Sequence, residues 1–171
     1  MLARSITGEV LVVDNDSTDR SAEIAASYGA RVISEHRRGY GRALRTGLAA
    51  AKGDVIIFGD CDSTYDFSNL DPIYRPLAEN KVDFMMGNRF GGLMEEGAMS
   101  WSHKLSVPFL SICGRIKFRV AIKDFHCGIR GIRKDALRKC TFKTTGMEFA
   151  TEMIAEASRK GLRIGERFRC R

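Results

Sequence analysis

Three short apolar runs, each followed by a cluster of polar side chains, constrain this chain more than any other feature. Val10–Val13 leads into Asp14-Asn15-Asp16, Val55–Phe58 into Asp60-Cys61-Asp62, and Val82–Met86, broken only by Asp83, into Asn88-Arg89. Short, nearly unbroken apolar segments suit strands covered on both faces. Helical patterns separate them. Ser17 offers an N-cap, Ala22, Ile24, Ala25 and Tyr28 suit a helix, and Gly29 closes it. After a further strand at Arg31–Ser34, the stretch Gly41–Lys52 places Ala43, Leu44, Gly47, Leu48 and Ala51 on one stripe. Asp71-Pro72 then opens a helix reaching about Glu79. Strands alternating with helices predict an α/β fold of Rossmann type, a mostly parallel sheet with helices on both faces. In such sheets ligands bind beyond the carboxyl ends of the strands, which is where all three clusters fall.

The second half is less regular. A glycine-rich loop, Gly87–Gly97, precedes a helix-like stretch with Trp101, Leu105, Phe109, Ile112 and Ile116. Cys127–Ile132 reads as a strand, and Met147–Lys160 as an amphipathic helix with Phe149, Met153, Ile154 and Ala157 inward, ended by Gly161. No linker composition interrupts the 171 residues, and 44% hydrophobic content suffices for one core. The organisation expected is one domain over 1–171, with a nucleotide-binding half at 1–90 and an acceptor half at 91–171.

The net charge is +7, and between Trp101 and Lys139 ten Lys and Arg face two Asp. A solvated face would explain this, and so would attraction to a nucleotide diphosphate, a lipid phosphate, a membrane surface or nucleic acid, among which charge alone does not choose. Five cysteines without a C-x-x-C pair indicate neither a zinc site nor a disulfide framework, which suits reduced thiols in the cytoplasm. No apolar stretch is long enough for a signal h-region or a spanning helix.

Asp60 and Asp62 stand two apart as the chain leaves a buried strand. In extended backbone both carboxylates project to one side, with Cys61 on the other. Two hard oxygen donors make a partial site for Mg2+ or Mn2+, leaving positions for diphosphate oxygens and water. Asp14 and Asp16 close another strand. Capping accounts for Asp16 or Ser17, whereas Asp14 needs partners such as a nucleobase N–H or ribose hydroxyl. The segment Arg37–Arg42 is basic and glycine-rich before a helix, a setting that favours phosphate, and Arg89 is expected to face the same crevice. No P-loop and no G-x-G-x-x-G motif is present, which argues against an ATPase or a dinucleotide enzyme.

Six ordered segments carry a resemblance: Glu9–Asp19 (EVLVVDNDSTD), GYGRALRTGL, GDCDSTYDF, GNRF, DFHCGIRGIRKDAL and TGMEFATEM. Together they resemble glycosyltransferase family 2, nearest the polyprenyl-phosphate sugar transferases. The resemblance implies a GT-A fold and inverting transfer of a sugar from a UDP- or GDP-sugar, with Mg2+ or Mn2+, to a polyprenyl phosphate or similar acceptor. It assigns Asp14 to the nucleoside, Asp60 and Asp62 to metal and diphosphate, and Arg89 to donor phosphate or acceptor. Asp16 and Arg42 join the nucleotide-sugar set. Asp124 becomes the general base, with loop capping or pairing to Lys123 or Arg130 as its structural alternative. His126 reads as structural. Glu148 reads as support for the acceptor pocket or a first-turn charge. The implied setting is the cytoplasm, peripheral at the membrane face, with no nucleic-acid partner.

Three departures from that family's pattern stand out. The usual opening strand and its P-x-Y/L-N-E loop have no counterpart, Asp16 stands where a glycine is usual, and the apolar strand expected near the C-terminus gives way to Arg167-Phe168-Arg169-Cys170-Arg171. They predict a chain truncated at both ends, lacking the first strand. A truncated, inactive nucleotide-binding domain and a sugar-1-phosphate nucleotidyltransferase are the alternatives.

Overall fold

The computed structural model describes residues 8–62, 65, 67–88, 120–125 and 127–168. Its order is β1 (Leu11–Asp14), α1 (Ser21–Ser27), β2 (Arg31–Ser34), α2 (Tyr40–Ala50), β3 (Val55–Phe58), α3 (Asp71–Ala78), β4 (Phe84–Asn88), β5 (Arg130–Arg133), α4 (Lys134–Leu137), α5 (Phe149–Arg159) and β6 (Ile164–Phe168). The runs at 31–34 and 55–58 become strands with the expected bounds, and Gly29 closes α1 at φ 84°. Helix α1 begins later than its pattern suggests. Ser17 instead gives its N–H to Asp14 Oδ1 at 3.2 Å, and Asp19 Oδ1 accepts the N–H of Ser21 at 2.9 Å.

The larger sheet has the order β3-β5-β4-β6. β4 and β6 are parallel, and β5 runs antiparallel to both β3 and β4. Three of the four strands therefore share one direction, and the reversal lies in the strand read at Cys127–Ile132. Mixed sheets of this kind are common in α/β folds.

Period-two alternation sorts the side chains onto two faces. Ile56, Phe84, Met86 and Ile132 join Leu48 of α2 and Phe149, Met153, Ile154 and Ala157 of α5 in one core cluster. Met85 packs with Ile73 and Leu77 of α3 on the other face, flanked by Val55 and Ile57. Helices cover both faces, as expected. Gly131 makes the α3 side possible, because a Cβ there would come within 2.6 Å of Leu77 and 2.8 Å of Ile73.

β1 and β2 form a separate two-stranded parallel sheet. Among the described residues the remaining edges of β1 and β3 pair neither with each other nor with another strand. Helix α2 bridges the two sheets. Its Gly47 lies against Val13 of β1, while Leu48 is buried in the main core.

β6 is a strand that the sequence reading does not assign, and it contains Gly165-Glu166. Its five residues pair in register from Phe84↔Ile164 to Asn88↔Phe168. An apolar-run criterion misses it because Gly165 and Glu166 sit at its centre.

Candidate functional site

The carboxyl end of β1 is tied to the start of α2 through one amide side chain. Asn15 donates to the carbonyls of Glu35 (2.7 Å) and Arg37 (3.0 Å), and its Oδ1 accepts the N–H of Gly39 at 2.8 Å. Asp14 is half-buried beside it. Asp16 is exposed, adopts φ 64° and pairs with Arg38 at 3.2 Å. That left-handed backbone is the conformation glycine adopts without strain, and Asp is among the few other residues that tolerate it.

Tyr40, the first residue of α2, brings its hydroxyl to Asp60, just beyond β3. Burial and the Asp60 charge push the Tyr40 phenol up to about 12. Burial also raises Asp60, reinforced by the Asp62 charge and opposed by the Tyr40 hydroxyl and Arg130. Two carboxylates thus repel each other at a half-desolvated strand end. A divalent cation would relieve both penalties, and hard carboxylate oxygens suit Mg2+ or Mn2+. Among the described residues no third His, Cys, Asp or Glu completes a metal group, so the pair is a partial site. Gly128 closes the floor beneath it. A Cβ there would collide with Asp60 Oδ2 and with Tyr65, whose hydroxyl oxygen accepts the Gly128 N–H at 2.7 Å.

Asp124 is fully buried, as is Arg130 at 2% exposure. Arg130 donates from Nε to Cys127 O (2.9 Å), from Nη1 to Ala150 O (2.6 Å) and from Nη2 to Phe125 O (3.0 Å). Burial pulls its pKa down, opposed by Tyr40, Cys127, Asp124 and Tyr65 around it. The guanidinium therefore supplies positive charge beneath both Asp60 and Asp124. Glu166 Oε1 accepts the N–H groups of Lys123 (2.8 Å) and Asp124 (2.9 Å).

Arg42 is half-buried in the first turn of α2, and its guanidinium makes no hydrogen bond or ion pair among the described residues. Its backbone N–H meets Thr145 O at 3.2 Å. Glu148 Oε1 accepts the N–H groups of Thr145 (3.3 Å) and Gly146 (2.9 Å), so its carboxylate holds a loop. Arg89, His126 and residues 101–119 of the basic stretch lie outside the described residues. The structure thus gathers Asp14, Asp16 and Arg42 along one tied segment, and Asp60 and Asp124 around Arg130, with Tyr40 and Asp62 beside Asp60. Tyr40, Arg130 and Glu166 were missed as site residues. A lone arginine within Gly-Ile-Arg-Gly-Ile was the one available signal, since a charge inside a buried strand needs a reason. Among the described residues no helix is long and apolar enough to cross a membrane.

A sequence model described as Glycosyl transferase family 2 matches residues 7–141. The chain is 39% identical over 163 residues to a low-salt glycan biosynthesis hexosyltransferase of Haloferax volcanii, covering 95% of this chain and 39% of that protein. It is 31% identical over 167 residues to a dolichyl-phosphate hexose transferase of the same organism, covering 92% of this chain and 67% of that one. Among solved structures it resembles glucosyl-3-phosphoglycerate synthase from Mycobacterium tuberculosis, crystallised with Mn2+, UDP and glucosyl-3-phosphoglycerate. The TM-score is 0.70 at 23% identity, over 94% of this chain and 58% of that one. At that identity the likeness bears on the fold, which is the expected GT-A type. The chain spans less than two thirds of the hexosyltransferase and of the synthase.

Proposed function

This chain belongs to glycosyltransferase family 2, and we propose that it binds a UDP- or GDP-sugar with a divalent cation and transfers the sugar, with inversion, to a polyprenyl phosphate. The carrying observation is the Asp60–Asp62 pair, two mutually repelling carboxylates at the end of β3 with Tyr40 and Arg130 behind them. The dolichyl-phosphate relative supports a lipid-phosphate acceptor. Asp60 and Asp62 would hold Mg2+ or Mn2+. When bound, such an ion neutralises charge building on a leaving diphosphate. Asp14 accepts an N–H or hydroxyl from the nucleoside, with Asp16 at the rim. Arg42 takes a phosphate oxygen, the acceptor type its planar donors match best. Arg89 reads the same way.

Asp124 takes the acceptor proton as the acceptor oxygen attacks the anomeric carbon and the bond to the diphosphate breaks. A phosphate monoester keeps its last proton up to roughly pH 6, so a base matters most at the acid end of the working range. A second reading rests on the complete burial of Asp124 beside Arg130, namely that the carboxylate only balances a buried charge. Asp124→Asn separates the two. As a base, it should cost on the order of 10²–10⁴ in kcat near pH 6, shrinking toward pH 8, with donor affinity retained. As a counter-charge, it should lose melting temperature and donor binding together.

The reading as a whole is tested by titrating UDP- and GDP-sugars with and without Mn2+, then assaying transfer to a short polyprenyl phosphate. Nucleotide binding indifferent to the ion would sink the metal assignment. The site would lie at the cytoplasmic membrane face, with the exposed members of the basic 101–139 stretch, such as Lys123, Arg138 and Lys139, against anionic lipid. Weakening of liposome binding by salt checks that placement.

A further inference from the structure

A carboxylate on a buried strand face is costly unless hydrogen bonds replace its water. Glu166 is half-buried on such a face. It stands in register with the fully buried Met86, on the side of β6 that also carries Ile164 of the main core. Its Oε1 takes the N–H groups of Lys123 and Asp124, more than forty residues earlier in the chain. From β5, across β4 on the same sheet face, Arg130 holds Phe125 O and Cys127 O, and it anchors them to Ala150 O in the first turn of α5. Tyr65 takes the N–H of Gly128. Backbone groups at 123, 124, 125, 127 and 128 are thus committed to side chains from β6, β5 and the segment after β3. A loop that merely connected two elements could have left those groups to water.

We propose that Glu166 and Arg130 are positioning residues, a two-sided clamp that sets the backbone of Asp124 and so aims its carboxyl at the acceptor. The proposal rests on the reading of Asp124 as the base. It makes the last described strand part of the reacting centre. Group placement is demanding, because a shift of about 1 Å can cost roughly 10²-fold in rate.

The test compares wild type, Glu166→Ala, Glu166→Gln and Arg130→Lys by UDP–Mn2+ titration, by transfer kinetics near pH 6 and by amide exchange. Glu166→Ala should lower kcat by roughly 10²-fold while changing UDP affinity and donor KM by no more than about twofold. It should also speed exchange of the Lys123 and Asp124 amides. Glu166→Gln keeps a carbonyl oxygen for both N–H groups and should recover most of the rate. Arg130→Lys keeps the charge but cannot reach three carbonyls, so it should behave like the alanine variant. Where it does not fold, the Glu166 pair decides. A Glu166→Ala protein at wild-type rate, or with unmoved amides, overturns the proposal while the transferase reading stands. A rate loss matched by equal loss of UDP binding also overturns it, as a general effect on the fold. A wild type that binds UDP and Mn2+ yet transfers nothing overturns the transferase reading, and this inference with it.

Discussion

Asp60 shows how one residue can oppose the fold it sits in. Burial and the neighbouring Asp62 raise its pKa above the ordinary carboxylate value. A raised acid disfavours folding once pH exceeds its unfolded pKa, and the penalty is relieved as the group takes up a proton. At neutral pH without metal, Asp60→Asn should therefore raise the melting temperature, while abolishing the dependence of nucleotide binding on Mn2+. Calorimetry and titration on the same protein check both halves, and an unchanged or lowered melting temperature would refute the strain. The Asp60-x-Asp62 spacing was legible because strand alternation acts over two residues. Arg130 and Glu166 were not, because their partners are set by tertiary approach. Asp124 and Glu166 are 42 positions apart, and no periodicity links them.

At the scale of elements, α5 holds the strap before it through a column of glutamates. Glu148, Glu152 and Glu156 recur every four residues, the spacing that stacks side chains on one helix face. Glu152 accepts the N–H groups of Lys143 (2.8 Å) and Thr144 (3.0 Å) and the Thr144 hydroxyl (2.6 Å), and Glu156 accepts the Thr141 N–H at 2.9 Å. The strap in turn offers Lys143 O to Arg45 and Thr145 O to the Arg42 N–H, which fixes the start of α2. Burial raises Glu152, but those donors outweigh it and leave its pKa lowered. A depressed carboxylate lends stability above its unfolded pKa and loses it as pH falls through the folded one. Glu152→Gln should then cost about 1–2 kcal/mol at neutral pH and flatten the loss of stability below about pH 4.5. Denaturant melts across pH 3–7 measure this, and parallel acid limbs would refute it. Helix α5 itself was plain from its apolar stripe, while the strap's grip was hidden in residues that also suit a solvated helix face. The direction of β5 escaped for a different reason. Helix–strand alternation predicts parallel neighbours, and nothing in Cys127–Ile132 encodes the reversal.

Across the whole molecule, stability is unevenly spread. The main sheet and α5 hold the fully buried Phe84, Met86, Phe149 and Ile154, whereas α1 buries no residue, and Tyr28 and Val10 are 88% and 57% exposed. A two-stranded sheet is marginal alone, so β1 and β2 depend on α2. Val13→Ala should loosen that contact. The amides of β1 and β2 should then exchange faster, with those of β4 and β5 unchanged, and nucleotide affinity should fall although Asp60 and Asp62 are untouched. Uniform change across both sheets would argue for a single cooperative unit.

The division between the sheets also bears on what a measured affinity would mean. In the proposed donor site Asp14 contacts one end of the nucleotide from the small sheet, and Asp60 and Asp62 contact the other from the large one. Only molecules with the small sheet docked on α2 are competent, and the apparent dissociation constant is the intrinsic one divided by their fraction. Part of the binding energy would be spent on drawing the two sheets into register. Any change that tightens the seat of Val13 on α2 would then strengthen nucleotide binding without adding a single contact to the nucleotide.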